Sequence, residues 1–475
     1  MDSLGERTRH ITQGAILPAV LRLAVPVIIS ITLQSAYQLV NTFWVGRLGG
    51  EAVAAISVTA PLFFFLVVMG NGLSIAGSVF VAQYSGARDP RMVNHVAAQT
   101  MLMVAIVALV LSLLGLISAE GALRLIGVPP DVLQPAAAYL RISYFGMIFS
   151  YGFMMFQSIL QGAGEVRFPL HVVAASVLIN ALLDPLFIFG WGPVPASGVT
   201  GAAVATVCSQ AVAALVGMSR LFTGRYGIRV RARDFRPDFA FVRRALAVGL
   251  PASIEQATRS LGAILLTWIA TGFGTTALAA YGLGSRLIIF FFVPSLGVSA
   301  ATATVVAQNI GARHIDRAAQ AARQATWLAF WSLTAVGVAF LPLATPLSRF
   351  LVPSDPAVVA QGAAFVRVVA PIVGVIGAQQ VLAGALRGAG QTLAAMMLSL
   401  MTQWLLQLPA SYLLARYTPL GFAGIWWAFP LANVLSLAIT IAWFRRGAWK
   451  HKRLTEDGRL AARVAEEAQV EEGIP

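Results

Sequence analysis

Apolar residues follow one another along this chain in long continuous stretches, with no sustained alternation and no single helical stripe. From Ile16 to Phe444 such stretches of about 20 residues or more recur, separated by short segments bearing glycine, proline or arginine. Each is long enough to cross a ~30 Å hydrocarbon layer as a helix. Barrel strands would be ~10 residues long and alternating, and in lipid a spanning helix satisfies its own backbone. The pattern predicts an all-α membrane protein of about twelve transmembrane helices. The first stretch runs well past the length of a leader and lacks a small-residue cleavage site, so it reads as a retained first helix.

The polar punctuation repeats. VAQYSGAR at residues 81–88 returns as VAQNIGAR at 306–313, 225 positions later. At nearly the same offset Pro26 answers Pro251, Gly72 and Ser74 answer Gly297 and Ser299, LQGAG (160–164) answers LRGAG (386–390), and Gly198 and Gly201 answer Gly421 and Gly424. The expected architecture is two six-helix lobes around a central cleft. An even number of helices per lobe makes the repeat parallel, and substrate sites of such proteins lie between the halves. The expected segments are a cytoplasmic N-terminal piece (1–15), an N-lobe (16–223), a linker (224–240), a C-lobe (241–444) and a charged tail (445–475). The Gly-Ala-Arg of the repeated octapeptide reads as a helix exit with an interfacial anchor.

Composition agrees: 58% of residues are hydrophobic and only 11% charged, well under the ~25% of a soluble domain. The formal charge of +14 raises nucleic acid as a partner, but its placement excludes it. Arginines crowd alternate loops (Arg88 and Arg91, Arg167, the stretch from Arg225 to Arg244, Arg313 to Arg323, Arg445 to Arg453), while the intervening loops hold few. The positive-inside rule then puts both termini and the linker in the cytoplasm. The inner membrane of a bacterium is the expected location, and a monomer among membrane lipids the expected state. The acidic end, EEAQVEEGIP, reads as a solvated tail. Cys208 is the sole cysteine and the five histidines are scattered, so neither a disulfide nor a metal centre is expected, and no cofactor.

The motifs LAVP, LVNTFWVGRLGGEAVAA, VAQYSGAR, LQGAG and INALLDPLFIFGWG followed by GVTGAAVAT, with their second-half echoes, span residues 16 to 444. In order and spacing they resemble the multidrug and toxic compound extrusion (MATE) family. The resemblance implies export of cationic or amphiphilic drugs by alternating access, driven by inward H+ or Na+. It also marks a departure: many members, particularly those of the DNA-damage-inducible branch, carry aspartate where this chain has Asn41.

Only Asp184 and Glu255 stand deep within apolar runs. A carboxylate there costs ~2.5–3.5 kcal/mol on insertion scales, so it needs a wet cavity or a partner. Asn180 precedes Asp184 by one turn and Pro185 follows it. With Thr206 on helix six and Asn41 on helix one, these make a candidate oxygen-rich cation-coupling site, with Na+ itself a candidate at Asp184 and Asn180. The alternative is that Asp184 caps a broken helix. Glu255, four residues before Arg259, is either a substrate or coupling group or half of a structural ion pair. On helix one Gln34, Tyr37 and Asn41 form a polar stripe, which is either cavity wall or interhelical glue. The family resemblance favours a wall, with Tyr37 as a stacking surface. Gln157, beside Met154 and Met155, is a further substrate-binding candidate, and Pro26 a hinge. Phe290, Phe291 and Phe292 read as lipid-facing or packing residues. A rival reading is a flippase for a lipid-linked cell-envelope precursor, whose anionic cargo would engage Arg141, Arg259, Arg286 or Arg367. An enzyme is not expected, because paired acids, a histidine cluster and a nucleophile motif are all missing.

Overall fold

The computed structural model describes residues 4–352, 355–451 and 453–455; the acidic end and the side chains of Phe290 and Phe291 lie outside the described residues. The described chain is helical throughout, with one isolated bridge between Trp191 and Val194. The helices in order are α1 (Leu4–Gln13), α2 (Ile16–Gly46), α3 (Gly50–Gly86), α4 (Pro90–Leu125), α5 (Pro130–Phe145), α6 (Met147–Gly162), α7 (Arg167–Phe189) and α8 (Gly198–Thr223), then α9 (Phe239–Thr271), α10 (Thr275–Gly311), α11 (Ile315–Phe340), α12 (Ala344–Leu351), α13 (Pro356–Val369), α14 (Val373–Gly388), α15 (Thr392–Leu400), α16 (Leu408–Tyr417) and α17 (Ala423–Arg445).

Joined across their breaks, these make twelve membrane spans, six in each half of the sequence. Ten satisfy length and hydropathy outright when each bent pair counts once. The other two have local reasons to fall short. Residues 130–162 are divided at Gly146 into two 16-residue helices, and α9 carries Arg243, Arg244, Glu255 and Arg259 within it. Outward apolar side chains suit a lipid surround: Ile117 on α4 is 84% exposed, which water would penalise and hydrocarbon does not.

The repeated motifs are helix stops. Arg88 and Arg313 are the two non-glycine residues of positive φ among the described residues, at 56° and 62°. Each ends its helix in a left-handed turn whose following N–H reaches back five residues: Asp89 to Tyr84 O at 3.2 Å, His314 to Asn309 O at 2.8 Å. The same closure falls on Gly164 and Gly390, both at φ 76°, where Glu165 reaches Leu160 O and Gln391 reaches Leu386 O. The earlier glycine of each motif has a different duty. A Cβ on Gly162 would stand 2.4 Å from Ser78 O, and one on Gly388 2.2 Å from Ala303 O. Only hydrogen fits there, which lets α6 lie against α3 and α14 against α10. Without a hydrophobic drive between helices in lipid, such close backbone approach is what makes them pack.

Among the described residues, backbone proximity marks out two compact units, 4–9, 29–253 and 454–455 in one, and those of 10–28 and 254–453 in the other. Two of the boundaries fall inside long helices, three residues past Pro26 in α2 and three past Pro251 in α9. The core of the first unit draws on α3 to α8 and the start of α9, with Phe80 of α3, Phe156 of α6 and Phe241 of α9 fully buried. In the second, Val306 and Ile310 of α10 pack with Ala318 and Ala322 of α11 and Leu386 of α14.

Candidate functional site

In the first unit, α7 sets Asn180 and Asp184 one turn apart on the same face, both buried, with Asp184 at 0% exposure. On α8, Ala202, Thr206 and Ser209 share a face by the same spacing. The amide orientation that satisfies both neighbours has Asn180 Nδ2 donating to Asp184 Oδ2 at 2.9 Å while its oxygen accepts from the Thr206 backbone N–H at 3.2 Å. Asn180 thus turns a donor, not an oxygen, toward the carboxylate. The Thr206 hydroxyl donates to Ala202 O at 3.0 Å. Its oxygen is left to accept from the Tyr37 hydroxyl of α2, 2.6 Å away. Ser209 Oγ donates to Thr206 O at 2.9 Å. Tyr139 of α5 lies within electrostatic range of both the Tyr37 hydroxyl and Asp184. Sequence reasoning missed Tyr139 and Ser209.

Asn41 is 8% exposed, and its Oδ1 is buried without a hydrogen-bond partner. It stands one turn beyond Tyr37, which touches Thr206, and one turn before Val45. Val45 packs with Ile188, one turn past Asp184, and with Ala202, one turn before Thr206. Asn41 is therefore bracketed by contacts to α7 and α8, and it carries an unspent acceptor on that face. Pro185 has no N–H to give, so the Ala181 carbonyl lacks its usual helical donor, yet α7 continues to Phe189. Asp184 therefore lies within an unbroken helix and does not cap a break.

The other candidates are placed differently. Gln34 is exposed and its amide donates to Ser30 O at 3.3 Å on its own helix. Gln157 is half-buried and donates to Phe153 O at 3.3 Å, likewise within its helix. Met154 is half-buried, whereas Met155, at 2% exposure, is part of the packed core. Phe292 is half-buried. Arg141 binds Glu120 at 3.0 Å, Arg367 donates to the Thr345 hydroxyl at 3.0 Å, and Arg286 is exposed.

Glu255 lies in the second unit, 4% exposed. The pairing with Arg259 that its spacing predicts is present at 2.8 Å, and Arg387 of α14 reaches the same Oε1 at 3.2 Å. Arg387 was visible in the sequence only as a letter of LRGAG. The second-half counterpart of Asp184 falls near Leu408 and Pro409, where the chain forms a π-helix over Met401–Gln407. The two halves thus share a scaffold but differ in chemistry.

A duplicated six-helix membrane scaffold with a buried carboxylate in each half, paired with arginines at Glu255 and with a neutral amide at Asp184, is the frame of a polytopic transporter. The model of the MatE family matches residues 26–186 and again 251–413, beginning each time at the repeat-related proline. The chain belongs to this family, the multidrug and toxic compound extrusion transporters. It is similar to the probable multidrug resistance protein YoeA of Bacillus subtilis, at 29% identity over 455 residues covering 94% of this chain and 97% of that one. The probable multidrug resistance protein NorM of Thermotoga maritima is 25% identical, covering 93% and 94%. Among solved structures, an outward-facing multidrug resistance MATE transporter of the MOP superfamily superposes with a TM-score of 0.87 at 25% identity, covering 94% and 98%.

Proposed function

We propose that this protein is a secondary active antiporter of the inner membrane. It exports cationic or amphiphilic compounds in exchange for inward H+ or Na+, with the coupling ion engaged at Asp184. The observation that carries this reading is a carboxylate at 0% exposure on a membrane helix, answered within its unit by the neutral Asn180 amide and no cationic side chain among the described residues. A buried acid with neutral neighbours must take up a proton or a small cation to be tolerated, and must release it when its surroundings open. The Tyr37 and Thr206 hydroxyls and Asn41 Oδ1 supply further oxygens nearby, the donor type that hard cations take. One positive charge entering down 100 mV gives ~2.3 kcal/mol, nearly two decades of concentration gradient.

The arginine asymmetry of alternate loops supports cytoplasmic termini, and the names of the curated relatives support xenobiotic cargo. Of the four arginines that an anionic flippase cargo would engage, Arg141 and Arg367 are spent on neighbours at exposed positions. Efflux of a cationic dye from cells expressing the wild type, Asp184→Asn or Glu255→Gln, under imposed pH or sodium gradients, tests the proposal. Wild-type cells should extrude dye in a gradient-dependent way and Asp184→Asn cells should not. Absence of wild-type efflux together with rescue of a cell-envelope precursor defect would support the flippase.

A further inference from the structure

The second unit holds a charged cluster that coupling at Asp184 leaves unused. Glu255 sits sixteen residues, or about 24 Å, into the 33-residue α9. Two guanidiniums answer its one carboxylate, Arg259 from the next turn and Arg387 from α14. Among the described residues neither arginine reaches a second carboxylate, so one positive charge is left over. A surplus charge this far along a membrane helix is unfavourable unless a partner comes to it.

Donors are in surplus as well. The Gln380 carbonyl accepts from Arg259 Nη2 at 2.9 Å, which fixes the amide and leaves its Nε2 buried with no acceptor; Gln380 itself is 6% exposed. Arg387 Nε is likewise buried and unanswered. Ser399 of α15 accepts from Arg259 Nε at 3.1 Å, so its own proton is free for another oxygen. The guanidinium sides stay reachable, with Arg259 and Arg387 side chains 29% and 17% exposed against 5% for Glu255. An ion pair that only held helices together would need one arginine and no idle donors.

We propose that Arg259, Arg387, Gln380 and Ser399 form a recognition site for an oxyanion, a carboxylate, sulfonate or phosphate group carried by an amphiphilic substrate. Glu255 is the resident competitor that keeps the site closed until such a group takes its place. Planar guanidiniums bind oxyanions through charge-assisted paired hydrogen bonds, and a neighbouring amide and hydroxyl complete the set. The role as cargo site rests on the transport reading above; the binding itself does not.

Isothermal titration of the full chain in nanodiscs of zwitterionic lipid, with octyl sulfonate and octyltrimethylammonium as probes, tests the site. Sulfonate should bind saturably to wild type, about tenfold more tightly to Glu255→Gln, where the competitor is gone, and about tenfold more weakly to Arg387→Gln and Arg259→Gln. Arg387→Lys should recover part of the loss. Asp184→Asn should keep wild-type sulfonate affinity even where it abolishes efflux, which separates failure of the site from failure of the coupling scheme. Monodisperse elution and helical circular dichroism confirm that each variant is folded. If sulfonate fails to saturate both wild type and Glu255→Gln, or binds folded Arg387→Gln as it binds wild type, the assignment is overturned.

Discussion

The hydroxyl of Tyr37 on α2 meets that of Thr206 on α8 at 2.6 Å, joining two helices 169 residues apart in sequence through the group that also stands beside Asn180 and Asp184. Because Thr206 gives its proton to Ala202 O, Tyr37 is the donor. A double-mutant cycle of Tyr37→Phe and Thr206→Val, read by thermal unfolding in detergent, should return a coupling of about 0.5–1.5 kcal/mol. Additive effects would mean that the two hydroxyls do not support each other.

The idle acceptor of Asn41 makes this position a test of ion choice. Asn41→Asp puts a second carboxylate on the face shared by α2, α7 and α8, and two acids with neutral surroundings favour a bound cation. Sodium should raise the melting temperature of Asn41→Asp more than that of the wild type. Equal responses would place position 41 outside the coupling site.

Glycine substitutions should divide by what their new methyl meets. Gly162→Ala and Gly388→Ala drive Cβ to 2.4 and 2.2 Å from backbone oxygens of Ser78 and Ala303. Each should cost about 1–3 kcal/mol through overpacking. Gly121→Ala on α4, with nothing within 4 Å of the new atom, should be neutral or stabilise by up to about 1 kcal/mol. Melting curves of the three variants decide the matter.

Arg88 and Arg313 each hold a left-handed backbone conformation that disfavours a side chain by roughly 1–2 kcal/mol. Arg88→Gly and Arg313→Gly should therefore melt higher than the corresponding alanine variants, which lose the charge but keep the strain. If glycine and alanine behave alike at both sites, the helix stops do not store that strain.

Much of the scaffold was legible because it is written in one dimension. Apolar runs mark the spans, and the echo of Pro26 in Pro251 and of LQGAG in LRGAG marks the duplication. The meaning of those motifs was less open: Gly-Ala-Arg reads correctly as a helix exit, but the tight fit of Gly162 against Ser78 needs a neighbour 84 residues away. Asp184 with Asn180 and Glu255 with Arg259 were legible because one helical turn joins each pair. Tyr139 and Arg387 were not, since each reaches its site across tertiary space; Ser209, one turn past Thr206 on α8, was open to the same spacing argument. Tyr37 illustrates the same limit: its place on a polar stripe was visible, while the use of its hydroxyl on Thr206 was not.

In the proposed cycle Asp184 exchanges the coupling ion. Purified wild type and Asp184→Asn in proteoliposomes, loaded with a cationic dye and given a sudden inward pH or sodium gradient, measure it directly. The wild type should move dye in response to the gradient and folded Asp184→Asn should show none above the protein-free leak; equal movement by both would mean that the ion couples elsewhere than at Asp184.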